Sequence, residues 1–450
     1  MPKIRMQQDI AYRFDLIPDT MRLREHFWAS LRSTAFFYGF EPIRVSPFED
    51  PRRFASLIKA GMFHGREPLR VFVSANQEVL IRPSGLLSLL RAYGAQRMSE
   101  WAHPVKLYHE GERFWYEGGR DEKRVGRGFD VNLLIVGEET CVAEAQVIQV
   151  VWRTLEEMGI DMKAVRVFIQ PLGCGYCFGQ FRSALGSYVR GRSAGLCREC
   201  KRSLKGIPVR IFSCREERCS VVAAHAPQIL DYLCEACRRR LRNFFEFLDE
   251  IRIPYEIRAR DLEKRLQYDI FTFQLGYSLE HTPADGTEVE RNEGTPDLSK
   301  KDEGRKDKFF VHGGRVAPLL LDTLTGRKVD AVACVVDEDL LADAFSAAYE
   351  NVRVRPRVFL AQLGDLARRK SLALFEGLRK AGILVVESLG KDAIKSQLKM
   401  AENVGAEFAV IVGQKEALDE TVIVREVESG IQETVPQEKM VEFLKKKLKR

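Results

Sequence analysis

Between Val105 and Gly137 the chain reads as an apolar run, a charged stretch and a second apolar run. Val105, Leu107 and Phe114 open it, and Val131–Val136, interrupted only by Asn132, closes it. The pattern predicts strand, long charged loop, strand. Gly118, Gly119, Gly126 and Gly128 loosen the middle, and Arg120, Lys123, Arg124 and Arg127 charge it. Upstream, Met21–Tyr38 places Leu23, Phe27, Leu31 and Phe36 at helical spacing and ends at Gly39, a C-cap signal. A strand over Phe40–Val45, a strand over Glu78–Pro83 and a helix over Ser84–Arg91 follow. Val147–Met158 is predicted as a helix. From residue 356 onward, strands at Val358–Leu360, Ile383–Glu387, Phe408–Val412 and Thr421–Arg425 are interleaved with helices at Leu366–Ala381, Ile394–Val404 and Val441–Leu448. That alternation predicts a mainly parallel sheet with helices on both faces.

Composition narrows the class. A chain of 450 residues is too long for one ordinary core, so two to four domains are expected. No run of eighteen apolar residues exists, and the first fifteen lack a signal-peptide core, so a cytoplasmic protein without membrane contact is expected. The net charge of +7 permits an anionic partner without demanding one. The basic tail Lys445–Arg450 reads as a solvated helix end or as an RNA contact.

Eight of the ten cysteines fall between residues 166 and 250, as the pairs Cys174/Cys177, Cys197/Cys200, Cys214/Cys219 and Cys234/Cys237. Three pairs have the C-x-x-C spacing that lets two thiolates bite one tetrahedral ion. Buried free thiols are the alternative, and four close pairs in a reducing compartment favour metal. Eight thiolates complete two four-cysteine zinc sites, or one with spares. One or two structural zinc ions per chain are expected. The stretch 281–308 is charged and poor in large apolar residues, and is expected to be a loose loop.

The strand–loop–strand stretch, with Phe114, Trp115, Tyr116 and Glu117 at the end of its first strand, resembles motif 2 of class II aminoacyl-tRNA synthetases, specifically the histidyl family. YGFEPIRVSPFED resembles motif 1, the dimer-interface element of that class, and the segments bearing Cys197–Cys214 and Cys234–Cys237 resemble an insertion in some bacterial members. The segment from Lys395 to Val435 resembles the anticodon-binding domain that histidyl, prolyl, threonyl and glycyl enzymes share. The resemblance implies an α+β fold: a class II antiparallel sheet with helices, a zinc-type cysteine-rich insertion and a C-terminal α/β anticodon-binding-like domain. It divides the chain into 1–165 and 251–345 as two halves of the core, 166–250 as the insertion and 356–450 as the last domain.

The same resemblance locates departures. Trp115 stands where the family's arginine grips the α-phosphate. Ser84 and Leu86 replace the glutamate and threonine that hold the substrate amine, although Arg82, Pro83 and Gly85 are kept. A cationic amine leaving water needs an anion or several acceptors, and Leu86 supplies none. Asp130 and Leu134 fall where the family reads the imidazole. In DLEKRLQYDIFTFQL, Lys264 replaces an arginine and Asp269 a tyrosine, while Tyr268 survives. Lysine lacks the planar fork of arginine. Gly313, Gly314 and Arg315 persist from Gly-Gly-Arg-Tyr-Asp, and Asp339 replaces the motif 3 arginine that pairs with ATP. An acid there repels a triphosphate.

Losses around phosphates, adenine, amine and imidazole together remove the positioning and charge neutralisation that activation needs. The expectation is a non-catalytic paralogue that binds tRNA or an unknown protein partner and forms a homodimer. Phosphate contacts are expected from Arg120, Lys123, Arg124 and Arg127. A divergent working histidine–tRNA ligase, using ATP and Mg, is one alternative. The other is a regulatory subunit of ATP phosphoribosyltransferase, disfavoured by the C-terminal domain and by the lost imidazole-reading residues.

Overall fold

A computed structural model describes residues 15–63, 66–74, 77–117, 124–203, 208–214, 216–258, 267–278, 307–349, 356–388 and 393–448. Two compact units divide the chain, Met1–Glu350 and Asn351–Arg450. In chain order the first holds α1 (Pro18–Phe37), β1 (Glu41–Pro42), β2 (Phe48–Glu49), α2 (Pro51–Lys59), β3 (Glu67–Pro68), β4 (Arg70–Ser74), β5 (Gln77–Ile81) and α3 (Gly85–Ala95). There follow β6 (Val105–Glu117), β7 (Arg124–Val136), α4 (Val142–Glu157), β8 (Val165–Gly173), α5 (Gly175–Gly191), α6 (Arg198–Ser203), α7 (Glu217–Ala224) and α8 (Glu235–Glu250). The unit closes with β9 (Tyr255–Ile257), β10 (Tyr268–Ser278), β11 (Asp307–Val316), α9 (Pro318–Thr325), β12 (Ala331–Asp337) and α10 (Glu338–Tyr349).

Nine of these strands form one sheet in the order β1-β6-β7-β12-β11-β10-β8-β9, with β3 also on β6. Neighbours from β6 to β8 are antiparallel, and β1 and β9 add parallel at the ends. Residues 130–136 of β7 are buried on both faces, because α3 packs on β6 and β7 from one side and α4 on β7, β11 and β12 from the other. Arg315 secures the latter face. Its guanidinium donates to both oxygens of Glu144 on α4 (3.1 and 3.0 Å), to Asp330 (2.9 Å) and to the carbonyls of Glu138 and Thr140.

Three expectations change. The strand over Phe40–Val45 shrinks to Glu41–Pro42. Of the charged stretch after Glu117, residues from Arg124 onward are strand, since β7 begins there and Arg124 pairs with Glu117, while 118–123 lie outside the described residues. Of the expected loop 281–308, Asp307 and Lys308 open β11, and the rest lies outside the described residues.

The second unit holds β13 (Val358–Gln362), α11 (Asp365–Lys380), β14 (Val385–Glu387), α12 (Ile394–Asn403), β15 (Phe408–Val412), α13 (Gln414–Leu418), β16 (Thr421–Glu426), β17 (Gln432–Pro436) and α14 (Met440–Leu448). Its sheet runs β14-β13-β15-β16-β17. Only β14, β13 and β15 are parallel, and β16 and β17 add antiparallel, which corrects the mainly parallel expectation. Alternation along β13 and β15 feeds two cores, one with Leu360 and Val410, the other with Phe359 and Ala409. The buried Gln397 side chain ties α12 to β13 by accepting from the Gln362 N–H (3.0 Å) and donating to its carbonyl (2.7 Å).

Candidate functional site

Register alone assembles one polar face of the large sheet. Gly111, Asp130 and Asp337 lie in one cross-strand row. Asn132, Val335, His312 and Gln274 form the next row, and Leu134, Ala333, Gly314, Thr272 and Gln170 the one beyond. Because side chains alternate along a strand, these rows face the same side. At the far end of this face Gln170 donates to Gln274 (2.9 Å) and accepts from Thr272 (3.1 Å), a buried network of neutral groups. The buried Tyr268 hydroxyl has no hydrogen-bond partner among the described residues.

Trp115 and Arg113 occupy the other end. The Trp115 indole lies across Gly126 and Gly128 of β7, where a Cβ at either position would press on the ring. Those two glycines are therefore seats for a side chain within a strand. Arg66 and Arg113 place their guanidinium carbons 4.6 and 4.9 Å from the indole centroid, in the range of favourable cation–π contact. Trp115 is only 7% exposed. Arg113 in turn donates to Asp337 (2.5 Å) and has its Nε 3.6 Å from Asp130.

Asp130 also accepts from Asn132 (2.9 Å) and from the Gly85 N–H at the start of α3 (3.3 Å). Gly85 is required there, since a Cβ would collide with Asn132 and Asp130. Burial pushes the Asp130 and Asp337 carboxyls above the usual range, against the pull of Arg113.

A second ion cluster adjoins the first. Arg24 of α1 pairs with Asp339 (2.5 Å) and Glu338 (3.3 Å). Asp339 also accepts from the Phe129 N–H (3.2 Å), and the Trp28 indole donates to Glu338 (3.2 Å). Burial raises the Glu338 carboxyl to about 7. Arg82, kept from the family motif, serves structure: it donates to the Glu112 carbonyl (2.7 Å) and meets His109 Nε2 at 3.1 Å. His109 Nδ1 lies 3.1 Å from the Ile43 carbonyl, so the neutral ring donates there and accepts from Arg82. Burial, then Arg82, lowers the imidazole to about 4.

The other sequence-marked positions fall as follows. Ser84 caps α3, its Oγ accepting from the Leu87 N–H at 3.5 Å, and Leu86 and Leu134 are buried core. Asp269 accepts from the Ile270 N–H (3.0 Å). Arg124 and Arg127 lie on β7, and Arg127 pairs with Glu112 (2.5 Å). Arg120, Lys123 and Lys264 lie outside the described residues. Sequence reasoning missed Arg24, Trp28, Arg113 and Asp337. Arg113 was the findable one, two residues before Trp115 and so on its face of the strand.

The eight cysteines separate into two groups: Cys174, Cys177, Cys234 and Cys237, and Cys197, Cys200, Cys214 and Cys219. Within each group all sulfurs lie within 4.8 Å of one another. Four thiolates around one tetrahedral ion at about 2.3 Å stand about 3.8 Å apart, so each set fits a metal ion. Backbone N–H groups already point at the sulfurs: Cys234 donates to Cys177 (3.1 Å), Cys197 to Cys219 (3.2 Å) and Cys200 to Cys197 (3.4 Å). Such donors favour thiolate, and Cys197 and Cys234, each the first cysteine of a C-x-x-C pair, are lowered to about 7 mainly by backbone hydrogen bonds.

Comparison with known proteins places this architecture. Residues 357–447 match the anticodon binding domain family. A histidine–tRNA ligase of Dehalococcoides mccartyi is 26% identical over 444 residues, covering 96% of this chain and 98% of that protein. The crystal structure of apo Staphylococcus aureus histidyl-tRNA synthetase superposes with a TM-score of 0.68 at 21% identity, covering 98% of this chain and 99% of that one. A Bacillus halodurans structure described as an ATP phosphoribosyltransferase regulatory subunit/histidyl-tRNA synthetase matches with a TM-score of 0.59 at 14% identity, covering 89% of this chain and 96% of that one.

Proposed function

We propose that this chain, which matches a histidine–tRNA ligase over 96% of its residues and shares the fold of a histidyl-tRNA synthetase, is a non-catalytic, tRNA-binding member of that class that has closed its own nucleotide site. The observation that carries the reading is the Trp115 seat. The indole stands where the family resemblance puts a phosphate-gripping arginine, and it holds the Arg66 and Arg113 guanidiniums 4.6 and 4.9 Å from its centroid. Arg113 is committed to Asp337 and Asp130, and Arg24 to Asp339 and Glu338. A triphosphate would have to displace a buried indole and compete with four carboxylates for the arginines. Catalysis of activation rests on positioned cations, so their commitment to internal partners removes its main source.

The test is histidine-dependent ATP–pyrophosphate exchange by purified protein. Exchange indistinguishable from a no-enzyme control is expected, for the native chain and for Trp115→Arg, since Ser84, Leu86, Leu134 and Asp339 remain. Turnover by the native chain would establish the ligase alternative instead.

The anticodon-binding match over 357–447 supports tRNA as the ligand. Zinc is the ion proposed for each four-cysteine group, because four thiolates in tetrahedral array suit it and its role there is structural. A homodimer in the cytoplasm completes the reading. The likeness to the Bacillus halodurans protein keeps a regulatory-subunit reading as second. Stable co-purification with an ATP phosphoribosyltransferase catalytic chain from the native cell would promote it.

A further inference from the structure

Charge is distributed very unevenly along the chain. Residues 182–242 hold 14 lysines and arginines against 5 acidic residues, a net of +9, whereas the whole chain nets +7. If each cysteine group binds a divalent ion as four thiolates, it adds about −2, and the segment still keeps about +5. Arg182, Arg190, Arg192, Arg198, Lys201, Arg202, Arg210, Arg218, Arg238, Arg239 and Arg242 are all exposed. Arg198, Arg202, Arg239 and Arg242 have no carboxylate within ion-pair distance among the described residues.

Part of this charge converges. A cavity of about 450 Å³ opens beside the group Cys197, Cys200, Cys214 and Cys219, walled by Arg198, Arg210 and Arg218. Glu199 and Glu216 share the wall. Arg210 pairs with Glu199 at 2.5 Å, and Arg218 lies 3.8 Å from Glu216. All four of these side chains are more than half exposed, so the pairs are weak in water and readily exchanged for a stronger anion. Guanidinium forks match phosphate oxygens geometrically. The cysteine group brings together Cys197 and Cys200 at the start of α6, Cys214, and Cys219 of α7, so arginines beside these cysteines are presented from one cluster.

We propose that this arginine-lined cleft beside the four-cysteine group is a phosphate-binding site for the RNA backbone. The inference rests on the tRNA-binding reading and assigns where the phosphates go. Phosphate contacts of this kind position the nucleic acid without reading its sequence. Each contact releases counterions, so it is visible in the salt dependence of binding.

The experiment is a filter-binding titration of the full, metal-replete chain with unfractionated bacterial tRNA at about 50 and 200 mM salt. The variant pair Arg198→Gln/Arg218→Gln is expected to bind about tenfold more weakly, with a log–log salt slope shallower by about 2. Arg198→Lys/Arg218→Lys should regain most of the slope, because the charges return. Arg124→Gln/Arg127→Gln, on β7, should change the slope less. If the glutamine pair keeps its metal and its native affinity and slope, the cleft is not the site, while tRNA binding itself stands. If the native chain retains no tRNA at the lower salt, the inference and the tRNA-binding reading fall together. Should the glutamine pair lose metal, Glu199→Gln/Glu216→Gln decides: removing the carboxylates that compete for Arg210 and Arg218 must tighten binding, and unchanged or weaker binding overturns the proposal.

Discussion

At the scale of single residues, a residue kept from a family signature can be wholly occupied by internal partners. Arg315 persists from a family signature, yet it is 5% exposed and spends all its donors on Glu144, Asp330 and two carbonyls. Glu144→Ala would leave that charge buried without its bidentate partner, which costs about 3–5 kcal/mol. Urea unfolding should show the loss as a lower midpoint at an unchanged slope, and a change within error would mean Asp330 alone suffices. Glu338 gives a pH signature. Its folded carboxyl is raised to about 7 from 4.5, by burial first, with Arg24 opposing. The folded state therefore holds the proton more tightly than the unfolded one. The stability this supplies is complete below about pH 4.5 and is lost as pH rises through about 7. Glu338→Gln, which can still accept from Trp28, should flatten that decline. Unfolding midpoints at the two ends of the window would reveal it, and a decline of native steepness in the variant would sink the assignment. Trp115, Ser84, Leu86 and Asp339 were legible as departures from a family pattern. What fills the site was not legible, because Arg24 and Asp339 lie 315 residues apart and local periodicity carries no pairing information at that distance.

Elements show a similar division. Long periodic stretches were readable: the helix expected over Met21–Tyr38 is Pro18–Phe37, and the strand expected over Phe408–Val412 is found with those bounds. β7 was read too short because Gly126 and Gly128 signal a loop locally. Their reason is cross-strand, the Trp115 indole lying on them. The cysteine pairs were readable as ligands but not as sets. Three-dimensional grouping makes them unequal: one joins the end of β8 to the start of α8, and the other lies wholly between them in sequence. Elemental analysis should find one zinc per group, hence two per chain. Cys177→Ser and Cys200→Ser should each remove about one equivalent. Chelation should raise amide exchange in residues 174–237 before the rest of the unit, because ligand sets of this kind couple metal binding to local folding. Full metal content in either variant, or protection unchanged after metal removal, would contradict the two-site assignment.

For the whole molecule, the first unit exposes apolar surface that a monomer would be expected to cover. Phe36 and Phe37 at the end of α1 are 79% and 83% exposed, and Phe72 on β4 is 72% exposed. Phe48 on β2 and Val73 on β4 are exposed as well. Every residue of β4 is exposed, although its centre is Val71, Phe72 and Val73. Open apolar strand faces of this sort invite association unless a specific partner covers them. Phe36 and Phe37 immediately precede, and Phe48 lies within, the stretch that resembles the family's dimer element, and the first unit's own core uses none of these exposed residues. A symmetric pair of chains would bury the same patch on both partners, which is the commonest closed arrangement. Sedimentation equilibrium at micromolar concentration should therefore give the mass of two chains. Phe36→Asp with Phe72→Asp places two charges per chain in that interface and should weaken association at least tenfold, about 1.4 kcal/mol or more. Thermal unfolding of the variant at low concentration should match that of the native chain, because neither ring contributes to the core. A native chain that sediments as a monomer would remove the dimer and leave the patch to another protein. A variant that stays dimeric would place the interface elsewhere on the molecule.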